Sequence, residues 1–207
     1  GKLYGDLTVA CLSEEKFMIF GSGAAQEMHR RWFEKFLPKK DVVYKNRSDD
    51  FHGIAISGPN SRKLLSKICR DDVSDKAFKF RDTRETFVGG VPAILNRISF
   101  SGELGYEIYD APQFQLKLFE EIELHGKGLS LKLYGSRALM ALRLEKNWGA
   151  WTLDFRPDFT AAESGLDTFI NWNKDFIGKK ASLDEKKQGI KKKLVSMTID
   201  TKDIDVT

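Results

Sequence analysis

Cysteine is scarce in this chain of 207 residues, with only Cys11 and Cys69 present. Their separation fits neither a zinc-binding spacing nor a disulfide framework, so we expect a reducing compartment, the cytoplasm or a mitochondrial matrix. Long apolar runs are also missing, since none approaches the roughly 18 residues that a membrane-spanning helix needs. The sequence therefore predicts a protein that does not span a membrane.

A strong excess of one charge is missing too. The chain has 34 lysine and arginine residues against 30 aspartate and glutamate residues, a formal net charge of +4. This small excess argues against a nucleic-acid-binding protein. The three histidines at 29, 52 and 125 are scattered and have no ligand-type neighbours at zinc-binding spacing, so no metal site is predicted.

The sequence also lacks a complete phosphate-binding motif. Gly21-Ser22-Gly23 precedes a predicted helix, but it has neither the lysine of a P-loop nor a full GxGxxG pattern. We therefore favour a helix cap at Ser22 over a phosphate-binding loop.

Material for a hydrophobic core is plentiful, because 41 % of the residues are hydrophobic and 15 are phenylalanine. Strand-like and helix-like apolar patterns follow one another without strict alternation. This order predicts an α+β fold, with antiparallel sheets that carry helices on one face. The predicted strands are 7–10, 16–20, 42–44, 53–57, 87–93, 95–100 and 106–109, and the main predicted helices are 24–36, 61–69, 113–125 and 134–148.

The last part of the chain is rich in lysine. Residues 186–193 contain five lysines and predict a solvated linker. Residues 193–199 then predict a strand. The residues that follow it in this sequence do not supply a partner strand. We therefore expect the chain to be a piece of a longer protein.

The central stretch from Arg97 to Tyr109 concentrates two carboxylates, three aromatic rings and an arginine in thirteen positions. It predicts a strand, a turn with two glycines, and a second strand. Strand alternation places Glu107 on the face opposite Tyr106 and Ile108, so the glutamate can face a cavity while its neighbours pack. The stretch fits a site for a flat, polar heterocycle, or a hairpin that is simply rich in aromatic residues.

Several ordered segments resemble the folate-binding aminomethyltransferase family, the T-protein of glycine cleavage and its relatives. Within it the chain is most similar to the folate-binding half of the dimethylglycine and sarcosine dehydrogenases. The segments are GKLYGDLTV at 1–9, FSGELGYE at 100–107, LRLEK at 142–146 followed by Trp151, ESGL at 163–166 and KDFIGK at 174–179. Their common order and spacing are more specific than any one of them.

The resemblance implies a fold of two ferredoxin-like αβ units in a folate-binding domain over residues 1–185. Residues 186–207 would be a linker and the start of a C-terminal β-barrel domain. It implies transfer of a one-carbon unit to tetrahydrofolate, giving 5,10-methylenetetrahydrofolate, with a small N-methyl amine or its iminium as donor. FAD would bind only in a flavin domain that precedes this segment. The alternative is a non-catalytic module of the same fold, acting in binding, iron–sulfur assembly or tRNA modification.

The resemblance also assigns roles to two carboxylates. Asp6 matches the family aspartate that would steer protons at the reacting nitrogen, although it could be an ordinary turn aspartate. Glu107 matches the carboxylate that accepts two N–H donors of the pterin, although it could be a solvated strand residue. We expect Glu103, in the turn, to be structural or to support a residue that contacts the ligand.

Further residues are candidates for holding the folate. Phe100 stands where many glycine-cleavage members have tyrosine, and it could wall the pterin together with Tyr106 and Trp151, unless these rings are core residues. Arg143 could pair with Glu107 or hold the benzoyl-glutamate end, or it could be a surface helix arginine. The lysine run at 186–193 could meet a polyglutamate tail, but a solvated run is the simpler interpretation.

Overall fold

The structure is a computed structural model that describes residues 1–200 and 202. It divides into two compact units. The sheet unit comprises Leu7–Trp148, and the terminal unit comprises Gly1–Asp6 with Gly149–Thr207. Part of the segment predicted to begin a further domain, residues 201 and 203–207, lies outside the described residues.

The sheet unit contains the sheets and most of the helices, and their order follows the predicted mixture of strands and helices. Short 3₁₀ turns lie at Gly23–Ala25, Ser48–Asp50, Pro112–Phe114 and Lys127–Leu129. The regular elements are β1 (Thr8–Ser13), β2 (Lys16–Phe20), α1 (Gln26–Phe36), β3 (His52–Ser57), α2 (Ser61–Ile68), β4 (Thr83–Val88), β5 (Val91–Asn96), β6 (Gly105–Asp110), α3 (Gln115–Gly126) and α4 (Ser136–Glu145).

The strands form an antiparallel hairpin, β1–β2, and an antiparallel four-stranded sheet in the order β3-β6-β5-β4. Apolar side chains of α2 and α3 pack with one face of this sheet in a single core. The core joins Leu65 of α2 and Leu118 of α3 to Leu95 and Ile108 of the central strands. The predicted α+β class, with antiparallel sheets and helices on one face, is confirmed.

The turn between β4 and β5 was misplaced by the sequence interpretation, which ran one strand through residues 87–93. The structure instead has a two-residue turn at Gly89 and Gly90, with φ values of +58° and +75°. Positive φ at both central positions is the requirement of the type I′ hairpin turn, and glycine meets it without steric cost. The Val-Gly-Gly-Val sequence was therefore the signal that should have ended one strand and begun the next.

Two other predicted strands are wrong, and the strand predicted over residues 95–100 ends at Asn96. Residues 42–44 and 193–199 are irregular, and residues 97–100 belong to the loop that joins β5 to β6. Within residues 193–199, Leu194 donates its backbone N–H to the carbonyl of Glu163 at 2.8 Å, but no ladder forms. A strand needs a neighbouring strand for its backbone groups, and a local apolar pattern does not supply one. Ser22 occupies the N-cap position of the 3₁₀ turn that leads into α1, as predicted, but its side chain makes no capping hydrogen bond.

The terminal unit is built mainly of turns, a 3₁₀ turn at Asp167–Phe169 and the helix α5 (Lys179–Gln188). Its two chain segments are joined where Leu3 donates its backbone N–H to the carbonyl of Phe159 at 2.9 Å. Thr160 and Glu163 bond reciprocally, each backbone N–H donating to the other side chain at 3.0–3.1 Å. Within the described residues, no helix has the length and apolarity to cross a bilayer.

Candidate functional site

The two faces of β6 differ in the way that strand alternation predicts. Tyr106 and Ile108 are 1 % and 0 % exposed and belong to the hydrophobic core. Glu107 lies on the opposite face and is only partly buried. The Tyr106 ring stacks on Phe78 with centroids 6.2 Å apart, and its hydroxyl accepts a hydrogen bond from Arg62 Nε at 3.0 Å. The predicted role of Tyr106 as a cavity wall is therefore wrong, because its ring is enclosed in the core.

The carboxylate of Glu107 has a defined partner. The hydroxyl of Tyr109 donates to Glu107 Oε2 at 2.7 Å. The two residues are two positions apart on one strand, so their side chains share a face. Burial raises the pKa of Glu107 above its usual value, while the hydrogen bond from Tyr109 acts in the opposite direction. The same burial, with the nearby Glu107, raises the pKa of Tyr109.

Asn96 lies opposite Glu107 in the register of β5 and β6 and shares its face of the sheet. It is 1 % exposed, and the hydroxyl of Thr83 donates to its Oδ1 at 2.9 Å. Its Nδ2 is buried and has no hydrogen-bond partner among the described residues. The face that carries Glu107 is therefore polar at its centre, with a carboxylate, a phenol and an amide in adjacent positions.

A cavity of about 520 Å³ lies beside this polar cluster, within the sheet unit. Tyr109 forms part of its wall, and the tyrosine ring packs on Phe20 of β2 with centroids 4.3 Å apart. Phe33, Tyr44 and Phe51 add further aromatic surface, and Ser22, Gln26, His29 and Lys45 add polar groups. Such a mixture of aromatic walls and a few polar groups is typical of sites for small, flat ligands.

Tyr109 and Phe20 were missed as site residues by the sequence interpretation. The signal for Tyr109 was available, because a residue two positions after Glu107 on the same strand must share its face. No comparable signal identified Phe20, which reaches Tyr109 from a hairpin almost ninety residues earlier in the chain.

The loop that joins β5 to β6 is organised by serine hydroxyls. Ser99 and Ser101 are hydrogen-bonded through their Oγ atoms at 2.8 Å, and Ser101 Oγ also accepts the backbone N–H of Glu103. Glu103 pairs with Lys146 at 3.3 Å, which agrees with the structural role expected for it. Phe100 lies in this loop and is partly buried, so its predicted contact with a pterin remains a prediction.

Arg143 is not a surface residue of α4. It is 5 % exposed, and its Nη1 donates to the backbone carbonyl of Trp148 at 2.9 Å. Burial removes water from the guanidinium, so hydrogen bonds with the protein must replace those with water. These hydrogen bonds hold the group in one orientation. The surface interpretation of Arg143 is therefore wrong, while its contact with folate or with Glu107 stays a prediction.

The terminal unit contains the remaining candidates. Asp6 is partly buried, and burial raises the pKa of its carboxyl group. Trp151 is 8 % exposed and belongs to the turn region in which Ala150 donates its N–H to Asp154 Oδ2 at 2.9 Å. Within residues 1–200 and 202, no group of three or more histidine, cysteine, aspartate or glutamate side chains is arranged to hold a metal ion.

Several known proteins are similar in sequence to this chain over almost its whole length. Mitochondrial dimethylglycine dehydrogenase of Homo sapiens is 38 % identical over 210 residues, which cover 99 % of this chain and 24 % of that protein. Aminomethyltransferase of Thermoanaerobacter pseudethanolicus is 31 % identical over 197 residues, or 94 % of this chain and 53 % of that protein. The chain thus spans about a quarter of the first relative and about half of the second.

Solved structures also include similar folds. One of them is the heterotetrameric sarcosine oxidase from Corynebacterium sp. U-96 in complex with pyrrole 2-carboxylate, with a TM-score of 0.52 and 18 % identity. The similarity covers 65 % of this chain and 66 % of that chain. A family model described as the GCVT N-terminal domain matches residues 1–174. The resemblance read from the sequence motifs is thereby confirmed, and the chain belongs to the family of the GCVT N-terminal domain.

Proposed function

We propose that this protein transfers a one-carbon unit from an aminomethyl or iminium carrier to tetrahydrofolate, forming 5,10-methylenetetrahydrofolate. The family and the names of its relatives, an aminomethyltransferase and a dimethylglycine dehydrogenase, support this activity. The segment would be the folate-dependent part of a longer enzyme that oxidises an N-methyl amine such as dimethylglycine or sarcosine. The flavin domain that binds FAD would then lie elsewhere in the same protein. A mitochondrial location follows if the similarity to dimethylglycine dehydrogenase extends to the whole protein.

The observation that carries the proposal is the environment of Glu107. Its carboxylate is partly buried, faces away from the core and is oriented by Tyr109 at 2.7 Å. A pterin presents a ring N–H and a 2-amino group side by side, and a carboxylate accepts both. We therefore assign Glu107 to binding the pterin, with Phe100, Arg143 and Trp151 as further candidates for holding the folate.

Asp6 is the proposed catalytic residue. The transfer replaces one N–H bond at each of two folate nitrogens by a bond to the same methylene carbon, so two protons leave the folate. The released amine keeps one of them, and the other must be accepted. Burial raises the pKa of the Asp6 carboxyl group, which makes the carboxylate a stronger base and suits it to accept this proton.

The binding role is tested by titrating 5-formyltetrahydrofolate, a stable analogue, into the full-length protein by calorimetry. We expect Glu107→Ala to weaken binding by about 10- to 100-fold, because buried hydrogen bonds to a charged group contribute about 1.5–3 kcal/mol. Glu103→Ala is the matched control, since it removes a glutamate of the same motif that pairs with Lys146. Equal affinity for the wild type and Glu107→Ala would exclude Glu107 as the pterin acceptor.

The catalytic role is tested by the rate of methylenetetrahydrofolate formation in Asp6→Asn. We expect a rate loss of about 100-fold or more with little change in folate affinity, because a general acid or base contributes about 10²–10⁴-fold. An unchanged rate would remove Asp6 from the mechanism. A protein that neither binds folate nor forms the product in any variant would favour the non-catalytic alternative.

A further inference from the structure

The side chains of Tyr109 and Glu107 form a fixed pair on β6. Their separation by two positions places both on the face of the sheet away from α2 and α3. The 2.7 Å hydrogen bond runs from the phenol to Oε2, so Oε1 keeps its full accepting capacity for a ligand. A neutral donor to an ionised acceptor is among the stronger hydrogen bonds in proteins.

The ring of Tyr109 is held from two sides. Phe20 of β2 packs on it with ring centroids 4.3 Å apart. Gly53 lies opposite it on β3, where a Cβ atom would come within 3.0 Å of the tyrosine ring. The ring therefore packs directly against the backbone of Gly53, and a larger residue at position 53 would displace it. This support fixes the direction in which the hydroxyl points.

We propose that Tyr109 is a positioning residue that orients the carboxylate of Glu107 and keeps it ionised for the ligand. The inference rests on the proposed pterin-binding role of Glu107, but the pair itself can be tested without any ligand. A carboxylate in a partly dehydrated place tends to take up a proton, and a protonated Glu107 would accept less well from the pterin. The hydroxyl of Tyr109 counteracts this tendency by stabilising the charged form.

The other groups around Glu107 leave this function to Tyr109. Its cross-strand neighbours are Ala55 on β3 and Asn96 on β5, and neither is titratable. The charged residues Lys16 of β2 and Glu85 of β4 lie across the same face and pair with each other at 2.9 Å. His29 of α1 lines the same cavity as Tyr109.

The experiment measures the pKa of Glu107 by NMR in the full-length protein with ¹³C-labelled glutamate, assigned through the signal that Glu107→Gln removes. Tyr109→Phe keeps the ring on Phe20 and removes only the hydroxyl. We expect the pKa of Glu107 to rise by about one unit in this variant, which corresponds to about a tenfold change in the ionisation equilibrium. The affinity for 5-formyltetrahydrofolate falls as Glu107 takes up a proton, so on acidification it should weaken in Tyr109→Phe at a pH about one unit higher than in the wild type.

Tyr44→Phe is the matched control, because Tyr44 lines the same cavity and packs on Phe33 instead of Glu107. It should leave the pKa of Glu107 unchanged. The reciprocal measurement uses Glu107→Gln, in which the raised pKa of Tyr109 should fall. The absorbance of the phenolate reports this pKa. The measurement can be made even if Tyr109→Phe folds poorly.

An unchanged pKa of Glu107 in Tyr109→Phe, or an unchanged pKa of Tyr109 in Glu107→Gln, overturns the positioning role. If both pKa values move but 5-formyltetrahydrofolate does not bind the wild type, the pair is confirmed and the proposed function fails. The two failures are therefore distinguishable.

Discussion

The two carboxylates of β6, Glu107 and Asp110, lie on opposite faces of the same strand and meet opposite environments. Asp110 is 0 % exposed, on the side of Tyr106 and Ile108, and neither of its oxygens has a hydrogen-bond partner among the described residues. Glu107 is partly buried and bonded to Tyr109. Burial raises the pKa of both groups, but only Glu107 has a hydroxyl that opposes the shift. Glu107 is thus oriented by a hydrogen bond, whereas Asp110 is only enclosed.

The difference follows from what covers each face. The helices α2 and α3 bring aliphatic side chains to the face of Asp110, and these offer no donor. The hairpin β1–β2 brings Phe20 to the face of Glu107, where it supports Tyr109 without displacing its hydroxyl. One face therefore provides stability, and the other has room for polar chemistry.

The largest expected effect comes from a substitution on the face of the sheet that α2 and α3 cover. Ile108→Ala should lower the free energy of unfolding by about 2–5 kcal/mol, because it removes a fully buried side chain and leaves a cavity. Urea unfolding measures this loss. Leu116→Ala on α3 is the control, since Leu116 is 70 % exposed and its truncation should change stability by less than about 0.5 kcal/mol. Similar losses in the two variants would refute the assignment of the core to this face.

A smaller effect is expected at Asp110, and its sign depends on pH. A carboxyl group whose pKa is raised by folding binds its proton more tightly when folded, so its contribution to stability falls as pH rises above about 4. The backbone N–H of Asp110 and, to a smaller extent, the neighbouring His52 lower the pKa of Asp110 and so oppose part of this shift. Asp110→Asn should therefore become more stable than the wild type as pH rises, by about 1–3 kcal/mol at neutral pH.

The matched variant for this comparison is Glu107→Gln. Its stability gain over the same pH range should be smaller, because Tyr109 already stabilises the ionised glutamate. Urea unfolding at several pH values measures both differences. A gain at Glu107 equal to or greater than that at Asp110 would remove the distinction between the two faces.

The smallest effect is expected at the ion pair between Lys16 and Glu85, which joins the hairpin to the edge of the sheet at 2.9 Å. Both side chains are more than half exposed, so water and salt screen the pair. Lys16→Ala should lower the free energy of unfolding by less than about 1 kcal/mol, and less still at high salt. Thermal unfolding at low and high ionic strength tests this, and a loss that persists in high salt would contradict a screened surface pair.

Much of the fold could be predicted from local patterns. The strands at β2 and β6 and the helices α1 to α4 were placed within a few residues, because alternation and helical periodicity are properties of neighbouring residues. The errors at residues 42–44, 97–100 and 193–199 have one cause. Each is a short apolar or mixed stretch, and whether such a stretch becomes a strand depends on a partner strand that the pattern does not specify.

The sequence alone determined the family, the α+β class and the face of β6 on which Glu107 lies, because motif spacing and strand alternation are written into the order of residues. Only the tertiary structure decided that Tyr106 is a core residue, that Arg143 is buried and that Phe20 supports Tyr109. These outcomes depend on which distant segments cover each face. Burial and hydrogen bonding are set by contacts between residues far apart in the chain, which local patterns do not contain.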